Sequence, residues 1–102
     1  MPAAYLIVDM QITDPAQYQQ YMAAAPEAVR AFGGEYLVRG GRLEVKEGDW
    51  QPARVAVVRF PSYEQARAFY DSAQYQAARA KRAGATAFFN MILVEGVDAP
   101  IP

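Results

Sequence analysis

The chain has 102 residues, 53% of them hydrophobic, which is one domain's worth of chain with enough apolar material for a core. A formal net charge of −1 leaves no basic surplus for phosphates, so nucleic acid is not an expected partner, and no apolar run approaches the roughly 18–20 residues of a membrane span. The absence of both Cys and His removes disulfides, thiolate nucleophiles, zinc-thiolate sites, the usual haem ligand and the commonest general base, so neither metal nor cofactor is expected.

The start, Met1-Pro2-Ala3-Ala4-Tyr5, has no basic segment, and Asp9 interrupts the apolar stretch behind it. A secretory signal is therefore not expected, and a cytoplasmic location is. Residues 3–12 alternate: Ala4, Leu6, Val8, Met10 and Ile12 share one side, and Tyr5, Ile7, Asp9 and Gln11 the other. That is a strand with one apolar and one mixed face. Asp14-Pro15 then reads as an N-cap followed by proline at the first helical position. Tyr18, Met22, Ala25, Val29 and Phe32 continue at helical spacing, and Pro26 predicts a kink or break near Ala25. Gly33-Gly34 ends the helix.

Glu35 to Arg39 reads as a second strand and Gly40-Gly41 as a turn or bulge. Arg42 to Glu47 is expected to continue as a short strand, followed by a loop through Trp50 and Pro52. The Val-rich stretch from Arg54 to Phe60 is a third strand. Ser62-Tyr63-Glu64-Gln65 has the pattern of a capping box, and Ala66, Phe69, Tyr70 and Ala73 form the apolar stripe behind it. Ser72 is placed to cap a second helical segment that carries Tyr75, Ala78 and Arg79. Ala85 to Glu95 is the last strand. The order is β-α-β-β-α-β, which predicts an α+β, ferredoxin-like domain over residues 1–98: a four-stranded antiparallel sheet with its helices on one face. Residues 99–102 form a proline-containing tail.

The fourth strand is apolar on both sides: Phe89, Met91 and Leu93 on one, Phe88, Ile92 and Val94 around Asn90 on the other. A strand apolar on both faces is normally buried on both. With helices covering one face, a second copy related by a two-fold axis is the expected cover for the other.

Several motifs carry a family resemblance: Gly33-Gly34, Tyr36, Arg39-Gly40-Gly41, Glu47-Gly48 with Trp50 and Pro52, Phe60-Pro61-Ser62 with Ala66, and Tyr70 with Ser72, Tyr75 and Arg79. Over nearly its whole length the chain resembles the bacterial domain-of-unknown-function family thirteen-thirty, of the dimeric α/β-barrel superfamily. The resemblance implies a ferredoxin-like protomer and a dimer with sheets packed face to face. It implies no activity. The wider superfamily spans cofactor-free monooxygenases, haem enzymes, lactone isomerases and plain ligand binders, and fold does not choose among them. The missing His counts against the haem branch.

Alternation puts Asp9, Arg39, Arg59 and Asn90 on the face away from the helices, among Tyr5, Ile7, Leu37, Val55, Val57, Phe88 and Ile92. Glu47 and Trp50 are placed to close over them from the loop. Apolar walls with a few convergent polar groups make a small-molecule site. The ligand-binding candidates are therefore Arg39, Arg59, Asn90 and Trp50, and the candidate bases are Asp9 and Glu47. Arg39–Glu47 and Arg59–Asp9 ion pairs are the competing, purely structural explanation. The basic cluster Arg79-Lys81-Arg82 reads as a solvated helix end. Three functions stay open: a homodimer holding a small, anionic organic molecule between paired sheets; a cofactor-independent isomerase or monooxygenase with a carboxylate base; and a partner-binding module without a ligand.

Overall fold

A computed structural model describes residues 2–99; Met1 and residues 100–102 of the expected tail lie outside the described residues. The elements are β1 (Ala4–Ile12), α1 (Pro15–Ala31), β2 (Glu35–Arg39), β3 (Arg54–Phe60), α2 (Tyr63–Asp71), α3 (Ala73–Ala80) and β4 (Thr86–Glu95). The four strands form one antiparallel sheet in the order β2-β3-β1-β4. This is the ferredoxin-like arrangement, with its second helix split in two.

Local chemistry sets the boundaries. The Asp14 carboxylate accepts from the Gln17 amide at 3.1 Å, and Pro15 opens α1. Gly33, at φ 78°, donates to the Arg30 carbonyl at 3.1 Å, and Gly34 donates to Val29 at 2.9 Å. This pair of bonds is a Schellman cap, which places a left-handed residue where glycine is strain-free. Ser72 makes the split between α2 and α3: its hydroxyl donates to the Phe69 carbonyl at 2.7 Å and accepts from the Tyr75 amide at 3.0 Å. The Ser62 hydroxyl caps α2 by accepting from the Gln65 amide at 3.1 Å.

Two expectations about regular structure fail. Of the kink or break expected near Ala25, the break does not occur: α1 runs unbroken through Pro26. Residues 42–47 do not form a strand; the whole of 40–53 is an exposed irregular loop.

Between sheet and helices lies the core. Ala4, Leu6, Val8 and Met10 of β1 and Ala56, Val58 and Phe60 of β3 meet Tyr18, Ala25, Val29, Phe69 and Tyr75 from the helices. Burying each of the larger aliphatic and Phe side chains among them is worth roughly 1.5–3 kcal/mol before conformational entropy is subtracted. The molecule is a slab with principal extents of 40 × 37 × 17 Å, one layer of helices on one layer of sheet. Among the described residues, no layer of helices or strands covers the second face of the sheet.

Candidate functional site

The uncovered face carries Tyr5, Ile7, Asp9 and Gln11 of β1, Val55, Val57 and Arg59 of β3, and Phe88, Asn90, Ile92 and Val94 of β4, with Ile92 58% exposed. Of its charged groups, Arg59 has a partner of opposite charge and Asp9 a neutral hydrogen-bond donor. Arg59 bridges to Glu35, its cross-strand partner on β2, at 3.3 Å and not to Asp9. Asp9 accepts from the Trp50 indole N–H at 2.9 Å, so the 40–53 loop is pinned to the sheet. Asn90 lies directly across from Asp9 on β4. Glu47 is exposed in the loop.

Arg39 is not on that face. The β2–β3 register runs Glu35↔Arg59, Tyr36↔Val58, then Val38↔Val57 and Arg39↔Ala56. Leu37 is skipped as a bulge, and one extra residue reverses the facing of everything beyond it. Arg39 therefore shares the helix side with Tyr36 and Ala56. Its guanidinium lies 4.8 Å from the Tyr36 ring centroid and donates to the Met22 carbonyl at 3.3 Å. The anticipated Arg39–Glu47 pair is not formed. The Met22 carbonyl is the acceptor that the N–H of residue 26 would normally serve; Pro26 has none. Arg39 supplies the missing donor.

Arg39 is also the exposed member of a group of residues around a cavity of about 50 Å³ between helices and sheet. Its roof is Tyr18, Tyr21 and Met22 of α1, its floor Met10 and Ala56, and its far wall Tyr75, Phe89 and Met91. Arg54 stands beside Arg39 at the opening. Since Arg39 pairs with Ala56, Arg54 is its diagonal neighbour on the same face of the sheet. The Arg54 guanidinium packs against Gly40 so closely that a side chain at that position would collide with it. Neither arginine has a carboxylate partner among the described residues.

The cavity contains no carboxylate; its polar groups are arginines and tyrosines. The Tyr18 hydroxyl meets the Met10 sulfur at 2.8 Å, and the Tyr21 and Tyr75 hydroxyls are 2.9 Å apart. Burial pushes Tyr18 up to about 12 and raises Tyr21 further, with the Tyr75 hydroxyl adding to the effect. Burial raises Tyr36 as well, with Arg39 opposing. These phenols are neutral at any physiological pH. They can donate and accept hydrogen bonds but not act as bases. Among the described residues, no group of three or more His, Cys, Asp or Glu is placed to hold a metal ion.

Of the residues singled out in the sequence, Asp9, Trp50 and Asn90 come together, Arg59 stands apart with Glu35, Arg39 faces the other way, and Glu47 joins neither group. Arg54 is not among them, although its alternation with Ala56, Val58 and Phe60 assigns it to the helix side. Tyr18, Tyr21 and Tyr75 of the helices also line the cavity.

The model of the domain of unknown function DUF1330 matches residues 3–97. The chain belongs to this family. Among solved structures, a protein of unknown function from Rhodopseudomonas palustris superposes on this DUF1330 chain with a TM-score of 0.73 at 14% identity, covering 96% of this chain and 85% of the other. A dimeric ferredoxin-like protein of unknown function from Thermobifida fusca gives 0.61 at 20% identity, covering 92% and 91%. A protein from Nitrosomonas europaea, named as a candidate antibiotic biosynthesis monooxygenase, gives 0.57 at 16% identity, covering 94% and 91%. At these identities the likeness speaks for the fold. No curated protein matches the chain. Among the described residues, no helix is long and apolar enough to cross a membrane.

Proposed function

We propose that this DUF1330 protein is a homodimer, joined through the open sheet face, in which each protomer binds a short organic acid in the cavity beneath α1. The carboxylate sits at the opening on Arg54 and Arg39, and the apolar tail points inward between Tyr18, Tyr21 and Met10. One observation carries the ligand assignment. Two guanidinium groups are diagonal neighbours at the mouth of an apolar cavity, with no carboxylate on either among the described residues. Like charges so placed repel, and an anion between them removes the repulsion and gains charge-assisted hydrogen bonds.

Cavity size limits the tail. A cavity of roughly 150 Å³ holds benzene, so about 50 Å³ takes a tail on the order of two or three carbons. Butyrate is the natural probe, and butyramide the neutral isostere. Butyrate is expected to raise the melting temperature saturably and butyramide is not, with the gain absent in Arg54→Gln. Equal effects of the two probes would overturn the reading.

Support for the dimer is the apolar face on a two-layer slab, together with the Thermobifida fusca relative, which is described as dimeric. The Arg59–Glu35 bridge pairs two charges on that face, and the Trp50 N–H satisfies one acceptor of Asp9, so both groups have partners when a second copy covers it. Sedimentation tests it: a dimer at micromolar concentration is expected, and a monomer contradicts it. A carboxylate-base enzyme would have to work from Asp9 on this same face, since the cavity offers no carboxylate.

A further inference from the structure

The basic helix end Arg79-Lys81-Arg82 is not simply solvated. Arg82 leaves the end of α3 and lies half-buried against β4. Its guanidinium carbon is 3.5 Å from the Phe89 ring centroid and 5.0 Å from that of Tyr21. One terminal nitrogen reaches the Tyr75 hydroxyl at 3.5 Å. Its Nε is shut off from solvent and has no hydrogen-bond partner. A buried guanidinium N–H without an acceptor is costly, and native proteins rarely leave one so.

Beside Arg82 a second space, of about 200 Å³, opens between the end of α3 and the helix side of β4. Arg79, Arg82 and Tyr70 supply its polar walls, and Phe89 and Met91 its apolar ones. Among the described residues no carboxylate lines it; Asp71 of α2 lines an adjoining groove with Tyr70. Neither Arg79 nor Arg82 is in a salt bridge among the described residues.

We infer that this pocket is an oxyanion site, separate from the Arg39–Arg54 opening, which takes a carboxylate or phosphate group. Stacking on Phe89 fixes the Arg82 plane in advance, so little rotamer freedom remains to be lost on binding. The anion accepts from the terminal guanidinium nitrogens of Arg82 and from Arg79 at the rim. The Tyr70 hydroxyl is the third donor.

The test follows the Arg82 Nε–Hε resonance of the 15N-labelled chain while sodium phosphate and, separately, sodium acetate are added at constant ionic strength. A saturable shift with at least one oxyanion is expected, and the one that saturates first identifies the headgroup. Arg79→Gln, on the exposed rim, is expected to weaken the response roughly tenfold. Arg54→Gln is expected to leave it unchanged, which separates this site from the cavity opening. Non-saturating shifts with both anions, or saturation unaltered in Arg79→Gln, would overturn the assignment.

Discussion

Arg39 hydrogen-bonds the carbonyl of Met22 at 3.3 Å, one helical turn before Pro26. A strand side chain thereby repairs the gap that proline leaves in a helix, and the repair holds Arg39 over the cavity opening. Pro26→Ala restores the N–H donor and is expected to stabilise the fold by about 1–3 kcal/mol. In that background Arg39→Met should cost less than in the native chain, by about 1 kcal/mol. A double-mutant cycle from urea unfolding checks it, and strict additivity would show that the two residues are not coupled.

The Arg54 side chain makes no hydrogen bond among the described residues and stands beside another cation. Arg54→Gln is therefore expected to change stability by less than about 0.5 kcal/mol, or to raise it slightly, while removing the response to butyrate. Urea midpoints with and without butyrate separate the two effects.

Much of the fold is written in local signals: the Asp14-Pro15 start, the Gly33-Gly34 stop, the Ser62 and Ser72 caps and the period of each strand. The site is less legible. Alternation carried from Glu35 to Arg39 gives the wrong face because the bulge at Leu37 has no signature in residue type; Gly40-Gly41 drew attention to the wrong place. The Trp50–Asp9 bond spans 41 positions and has no local cue. Arg54 could have been read from the pattern, since the apolar row above it fixes its side. Pro26 misled because its missing donor is replaced from another element.

Gly34 allows β2 and β3 to close on α1. A Cβ there would lie 2.7 Å from the Phe60 ring and 2.8 Å from Val29, both buried. Gly34→Ala is expected to destabilise the chain by roughly 1–3 kcal/mol through overpacking. The midpoint of urea unfolding should fall with little change in slope.

Trp50 is the single tryptophan, 59% exposed in one protomer and bonded to Asp9 on the face assigned to dimerisation. Its emission is expected to move to the red as the protein is diluted through dissociation, and to stay red in Asp9→Ala. Emission independent of concentration in a sample shown to dissociate would place Trp50 outside the interface.

The buried phenols set an alkaline limit. Tyr18 ionises near 12 in the folded chain, against about 10 when unfolded. The folded state thus holds a proton that the unfolded state releases, so this stabilisation is complete below pH 10 and is lost as pH rises toward 12. Tyr21 shifts in the same direction. Urea midpoints are expected to be flat from pH 8 to about 9.5 on this account and to fall steeply above 10.

The cavity can be watched directly through its methionines. Three of the four methionines, Met10, Met22 and Met91, line it. With 13C-methyl-methionine labelling, butyrate is expected to shift the Met10 and Met22 methyl signals saturably, and butyramide to leave them unmoved. Unmoved Met10 and Met22 signals up to saturating butyrate, or the same shifts with butyramide, would contradict an organic-acid site beneath α1.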